Sequence, residues 1–285
     1  MLLGLEKKEL YSVLTRTEMA LKDEEKQNSY PQEKHLGPGQ KIYTDGELDL
    51  LDPSCIPNHV AIIMDGNRRW EKENHMPLFS GHWRGAESLT RIVRAGNALG
   101  IGTLTAFAFS TENWTRSNEE VEALMRLFEV YLIQQRRSMQ EEGVRFHTIG
   151  DLSLLPQGVQ KAMQETKEAT RDGKNIDLIL AINYGGRDEI VRAARQIVEA
   201  LEAGKISKRE IGENLFSQYL DTARWPDPDL LIRTSGERRL SNFLLWQTSY
   251  SELYIEDVFW PDFSEKHFLQ AILDYQKRKR RLGGT

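Results

Sequence analysis

The chain lacks most of the groups that small catalytic sites are built from. It has one cysteine, Cys55, in 285 residues, which excludes an intrachain disulfide and a cysteine-cluster metal site. No apolar run reaches 18 residues, so no transmembrane helix is expected. There is no GxxxxGK(S/T) and no GxGxxG after a predicted strand, which argues against P-loop and dinucleotide chemistry. No GxSxG or matching His–Ser–Asp order stands out, which disfavours a serine hydrolase. Positive charge is not in excess: 38 Lys and Arg against 43 Asp and Glu give −5, so no nucleic-acid partner is expected. The start has no basic segment followed by an apolar core, and its acids argue against a transit peptide. A cytoplasmic protein is expected.

What is present divides in two. Residues 1–57 hold eleven acids and seven bases. Met1–Lys26 has helical character, and Gln27–Gln40, with Pro31, Gly37, Pro38 and Gly39, reads as a linker. This part is expected to be an acidic arm appended to a catalytic domain over 58–285. From Asn58 the pattern alternates. Apolar runs predict strands from Val60 and over 103–110, 144–149, 176–184, 230–232 and 253–259. A loop is expected over 71–81. Amphipathic spacing predicts helices over 83–99, 118–142, 155–172 and 188–203, with one or two short helices over 207–224 and a closing helix from Ser264. On the helix over 188–203, Ile190, Val191, Ala194, Ile197, Val198 and Leu201 are expected to share the buried side. The implied fold class is α/β, a mostly parallel central sheet flanked by helices.

Polar clusters follow three of the strands: DGNRRW at 65–70, STENWTR at 110–116, and RTSGERRLSN at 233–242. The first alone is open to two readings, a site or a solvated corner. In a parallel sheet ligands bind beyond the carboxyl ends of the strands, so the three segments converge on one rim. That rim offers Arg68, Arg69, Arg116, Arg233, Arg238 and Arg239, whose planar forks suit anionic oxygens. Its few acids, Asp65 first, suit one Mg²⁺ that keeps water and phosphate oxygens as ligands. The residues thus point to a diphosphate ligand with Mg²⁺.

HVAIIMDGNRRW (59–70), FSGHWRGAE (79–87), AFSTENWTR (108–116), NYGGRDEI (183–190) and the block from Asp229 to Phe263 resemble the cis-prenyltransferase family. The bacterial undecaprenyl diphosphate synthase type is the most similar. The resemblance covers about 56–284. It implies a transferase that condenses isopentenyl diphosphate repeatedly onto an allylic diphosphate, with farnesyl diphosphate the expected primer. The expected product is a polyprenyl diphosphate such as undecaprenyl diphosphate, the lipid-carrier precursor for cell-wall glycan synthesis. It further implies Asp65 as the carboxylate for Mg²⁺ and Gly66, Asn67, Arg68 and Arg69 as the allylic diphosphate cradle. Trp70 and His82 become substrate contacts. Ser110, Thr111 and Glu112 become a closing segment, Asn113 a proton acceptor, and Trp114 and Arg116 further contacts. Arg233, Arg239, Leu240 and Ser241 become the isopentenyl diphosphate site, with Glu237 supporting. Glu252 becomes a second metal carboxylate. Arg281-Leu282-Gly283 becomes an element that reaches a partner subunit. A homodimer with transient contact at the membrane surface is expected.

The resemblance also implies a hydrophobic tunnel between the sheet and the helices over 83–99 and 118–142, with Leu124, Met125 and Phe128 on its wall. Two positions depart from the family pattern. Arg68 stands where many members have glycine, and Leu78 stands where many have arginine. Two other readings compete: a non-catalytic partner subunit on the same fold, and a phosphate-ligand module or phosphatase.

Overall fold

The central strand β1 (His59–Ile63) is buried along its whole length, as expected for a continuous apolar run with helices on both faces. This computed structural model describes residues 41–279. The arm before Lys41 and the terminal Arg281-Leu282-Gly283 lie outside the described residues. Five further strands join β1: β2 (Thr103–Ser110), β3 (Val144–Ile149), β4 (Ile176–Tyr184), β5 (Leu230–Arg233) and β6 (Glu252–Ile255). They form one six-stranded sheet in the order β3-β4-β2-β1-β5-β6, and every pairing is parallel.

The helices are α1 (Asp45–Leu48), α2 (Asn67–Glu73), α3 (Ser80–Ala98), α4 (Asn118–Glu141), α5 (Gln157–Thr170), α6 (Gly186–Glu202), α7 (Glu213–Ser217) and α8 (Glu265–Lys277). Side chains alternate across the strands. Val60, Ile62, Leu104, Leu178 and Ile232 therefore face one way, into the larger core with α3, α4, α5 and α8. Ala61, Ile63, Ile179 and Leu231 face the other way, toward Tyr184, Phe243 and Leu244. Ser117 caps α4 by accepting the Glu120 N–H, and Gly143 in the left-handed region ends it, which is the expected stop for a long helix.

The strand order places the site. β1 connects to β2 on one side of it, whereas β5, its other neighbour, connects onward to β6 in the opposite direction. The connections leaving β1 and β5 therefore diverge. A crevice opens at their carboxyl ends, as in other doubly wound sheets.

Three expectations change. The loop expected over 71–81 is helical as far as Glu73, because the turn of α2 begins at Asn67, immediately after Gly66. On α6 the buried residues are Gly186, Glu189, Ala193, Ile197 and Ala200. Val191 and Val198 are exposed, since the side of α6 that meets the sheet carries small residues and a carboxylate. Finally, the strand expected over 253–259 ends at Ile255. The described part of the arm, Lys41–Pro57, packs on the body. Tyr43 is buried in the larger core and its hydroxyl donates to the Glu265 carbonyl at 3.2 Å. The Asp52 N–H donates to Gln276 Oε1 at 3.1 Å.

Candidate active site

Asp65 follows β1 and points into the crevice. Its Oδ2 accepts Arg233 Nη2 at 2.8 Å, and its Oδ1 lies 3.0 Å from Arg69 Nη2. Burial by itself would raise the carboxyl's pKa. The Arg233 and Arg69 guanidiniums outweigh that and hold it below the ordinary range, so Asp65 is an anion at neutral pH. Its backbone is fixed from β5: the Asp65 N–H donates to Thr234 Oγ1 at 2.9 Å, and Thr234 Oγ1 donates to the Asp65 carbonyl at 2.7 Å.

Arg233 ends β5 and is only 4% exposed. Its Nη1 donates to Ser241 Oγ at 2.7 Å and to the Arg239 carbonyl. One side chain therefore ties the end of β1 to the 239–241 loop. Its Nε is buried without a hydrogen-bond partner. An uncommitted buried donor is costly and uncommon, and it fits a site that awaits an anion.

The residues 66–69 lie at the turn from β1 into α2, beside Asp65. Gly66 has φ +106°, and a Cβ there would lie 2.7 Å from the Phe259 ring. Both the left-handed turn and the close approach require glycine. Asn67 opens α2, and its Oδ1 is buried without a partner. Arg69 donates to Ser235 Oγ at 2.5 Å and to Glu237 Oε1 at 3.3 Å, and its guanidinium lies 5.6 Å from the centre of the Phe259 ring. Glu237 also accepts from Arg239, so it joins the two arginines. Ser235 and Ser241 are both in the left-handed region, at φ +70° and +48°. Leu240 is half-buried against the Phe243 cluster, and its carbonyl accepts the Phe243 N–H at 3.0 Å. Trp70 is buried in α2.

Arg68 has another partner. Its Nη1 donates to Glu120 Oε2 at 2.9 Å, while Arg116 Nη1 donates to Glu120 Oε1 at 2.9 Å. The buried Glu120 at the start of α4 thus joins the 65–70 and 110–116 segments.

The turn Thr111–Thr115 follows β2. The Ser110 N–H donates to Asn113 Oδ1 at 3.0 Å, so the amide oxygen of Asn113 is already engaged. Trp114 Nε1 donates to Asn183 Oδ1 at 2.7 Å, and Asn183 is itself left-handed at φ +47°. Glu112 accepts from Thr111 at 3.2 Å and from Asn242 Nδ2 at 2.9 Å. Burial favours its neutral form, but these bonds outweigh burial and lower its pKa. Asn242 thereby joins the third cluster to the second, and its carbonyl and Oδ1 also accept the Gly186 and Arg187 N–H groups at the start of α6. His82 lies in the first turn of α3, with Nδ1 3.3 Å from Glu71 Oε1.

Glu252 does not join Asp65. It pairs with Leu230 at the amino end of β6, whereas Asp65 lies two residues beyond Ile63, which pairs with Arg233. About five residue steps separate them, roughly 16 Å along the strands. Glu252 instead accepts Arg278 Nη1 at 2.9 Å. Asp65 and Glu252 of one chain cannot share an ion. Among the described residues no group of three acids, histidines or cysteines is placed to cage a metal. The donor set fits a Mg²⁺ held by Asp65 and by ligand oxygens, with water completing its shell.

Sequence reasoning placed Asn242 in the third cluster but gave no role to Glu120, Thr234, Asn183 or Glu71. Glu120 had a signal, the i,i+4 spacing from Arg116. The others contact partners distant in sequence and had none.

A family model described as putative undecaprenyl diphosphate synthase matches residues 63–283. The isoprenyl transferase of Clostridium perfringens is 48% identical over 240 residues, 84% of this chain and 95% of that protein. The (2E,6E)-farnesyl-diphosphate-specific ditrans,polycis-undecaprenyl-diphosphate synthase of Micrococcus luteus is 49% identical over 234 residues, 82% of this chain and 94% of that protein. Among solved structures, lavandulyl diphosphate synthase from Lavandula x intermedia, in complex with dimethylallyl diphosphate, superposes with a TM-score of 0.79 at 39% identity. It covers 81% of this chain and 99% of its own. A probable undecaprenyl diphosphate synthase from Campylobacter jejuni gives 0.68 at 33% identity, with 80% and 98% covered.

Proposed function

Because the chain belongs to the undecaprenyl diphosphate synthase family of prenyltransferases, we propose that it extends farnesyl diphosphate with isopentenyl diphosphate. The product is a polyprenyl diphosphate of the undecaprenyl type, a lipid-carrier precursor for cell-wall glycan. The observation that carries this reading is the Asp65 carboxylate clamped by Arg69 and Arg233 at the β1/β5 crevice.

Two diphosphates and one metal suit that cluster. Asp65 would hold Mg²⁺, which when bound offsets charge on the departing diphosphate. Arg69 and the amide groups following Gly66 hold the allylic diphosphate. Arg233, Arg239 and Ser241 hold the isopentenyl diphosphate. The allylic carbon–oxygen bond breaks, the isopentenyl alkene attacks the allylic carbon, and one proton is lost from the adduct. The amide of Asn113 is a weak base, and its oxygen is occupied by the Ser110 N–H. Its role is to position the 110–116 turn over the reacting carbons, and a diphosphate oxygen or water takes the proton.

The growing chain is apolar, and in this reading it runs along the layer between the sheet, α3 and α4. Leu124, Met125 and Phe128 of α4 are buried in the larger core. Threading a chain through this layer parts α3 and α4. A homodimer and contact of the product-bearing enzyme with a membrane surface belong to the same reading.

The test is incubation of purified protein with labelled isopentenyl diphosphate, farnesyl diphosphate and Mg²⁺. Label extracted into butanol as a polyprenyl product supports the reading. Phosphate release without chain growth overturns it in favour of a phosphatase, and no turnover by a folded protein points to a non-catalytic subunit.

A further inference from the structure

Glu71 is a buried carboxylate that the proposed reaction leaves unused. It lies on α2 at 6% exposure. Its Oε1 accepts the Gly81 N–H at 3.0 Å and lies 3.3 Å from His82 Nδ1. Part of its role is structural. The N-cap of α3, Phe79, has φ +71° and no side-chain cap bond, so Glu71 serves a first-turn N–H from outside the helix, where a carboxylate is favoured.

The contact with His82 goes further. A carboxylate only accepts, so the Nδ1 beside it carries the ring proton. Among the described residues this is the one side-chain hydrogen bond of His82, and it leaves Nε2 for another group. Gly81 packs so tightly on the first cluster that a Cβ there would lie 2.3 Å from the Asn67 carbonyl oxygen. The first turn of α3 is therefore in register with the diphosphate cradle. Arg68 is committed to Glu120, and Leu78 is an exposed apolar residue.

Resting on the diphosphate reading, we propose that Glu71 is a positioning residue for His82. It fixes the tautomer through Nδ1–H and aims Nε2 at an oxygen of the allylic diphosphate. When Nε2 donates to that oxygen the ring is doubly protonated, and the Glu71 carboxylate is its buried counterion.

Glu71→Gln tests this in the full chain. The amide keeps an acceptor for the Gly81 N–H and removes the charge. With inorganic pyrophosphate as the calorimetric probe, binding weakens about tenfold, and the KM for the allylic diphosphate rises by about the same factor while kcat stays within about threefold. The melting temperature is unchanged. In a His82→Ala background the same substitution has no further effect on affinity. In ¹⁵N spectra of the wild-type protein, pyrophosphate protonates His82 Nε2. Wild-type affinity in Glu71→Gln, additive losses in the double variant, or an Nε2 resonance unmoved by saturating pyrophosphate would each overturn the assignment. If Glu71→Gln does not fold, the wild-type spectra decide. Polyprenyl synthesis with no Glu71 effect refutes this inference alone. Pyrophosphate binding through His82 without polyprenyl synthesis refutes only the reaction.

Discussion

Asp65→Asn should strengthen diphosphate binding in the absence of Mg²⁺ while abolishing the gain that Mg²⁺ brings. Asp65 is the internal anion of two guanidiniums, with Arg233 at 2.8 Å and Arg69 at 3.0 Å. A diphosphate that engages those arginines sits beside this negative charge. Two unit charges about 6 Å apart at an effective dielectric of 20 to 40 repel by roughly 1.5–3 kcal/mol. The Asp65 side chain is 27% exposed, so screening brings this to about 1–2 kcal/mol. The substitution is near-isosteric, and the amide oxygen still accepts from Arg233. Pyrophosphate titrated in chelator should therefore bind about fivefold to thirtyfold more tightly to the variant. With Mg²⁺ the wild-type affinity should rise and that of the variant should not, because its one suitable carboxylate is gone. Turnover should fall by at least about a hundredfold, the scale of losing one preorganised charge-stabilising group. Weaker metal-free binding in the variant would refute the role of Asp65 as the arginines' internal anion. An equal Mg²⁺ effect in both proteins would refute its role as the metal residue.

Three further outcomes follow from individual contacts. Glu120→Ala releases Arg68 and Arg116 together. Because Arg68 is largely solvated, the stability cost should be only about 1–2 kcal/mol, whereas the KM for the allylic diphosphate rises as the 110–116 turn loosens; an unchanged KM would count against the bridge. Gly81→Ala forces a Cβ onto the Asn67 carbonyl oxygen at 2.3 Å, and the backbone shift should cost about 1–3 kcal/mol in chemical denaturation and weaken pyrophosphate binding. His59 is fully buried between the Pro226 carbonyl and Thr105 Oγ1, and burial pushes its pKa down to about 4. The unfolded chain, with an ordinary value near 6.5, then binds the proton more readily than the folded one. Stability should be complete above that value and fall by about 2 kcal/mol as pH drops from 7.5 to 5. His59→Gln should flatten that slope, apart from the part due to His147, whose pKa burial also lowers. An unaltered slope in urea unfolding would refute the assignment.

The strands were legible because burial on both faces leaves no polar alternation. TLTAFAFS and IDLILAINY predict β2 and β4 to the residue. α2 was not legible. NRRWEKE offers one apolar residue and no side-chain cap, and tertiary contact with the start of α3 stabilises it. The valines of α6 misled because an apolar stripe marks burial only where a neighbour covers it, and Val191 and Val198 face outward. The meeting of Asp65, Arg69, Arg233 and Ser241 could be anticipated, since all four follow predicted strand ends. Glu252 falls outside the rim because it opens β6, and in a parallel sheet the first residue of a strand lies at the end opposite the carboxyl-end crevice.

The sequence by itself determined the chemistry on offer: arginines with few acids at strand ends, a single cysteine, no nucleotide motif, and a parallel α/β alternation. These are local properties of residue type and period. The tertiary structure decided which groups meet. It placed β5 beside β1, so that Arg233 from 168 residues downstream became the partner of Asp65. It drew Glu120 between two arginines, sent Glu252 to the opposite end of the sheet, and buried Glu71 against His82. Each of these depends on strand order and register, which arise from packing the whole core and are carried by no short segment.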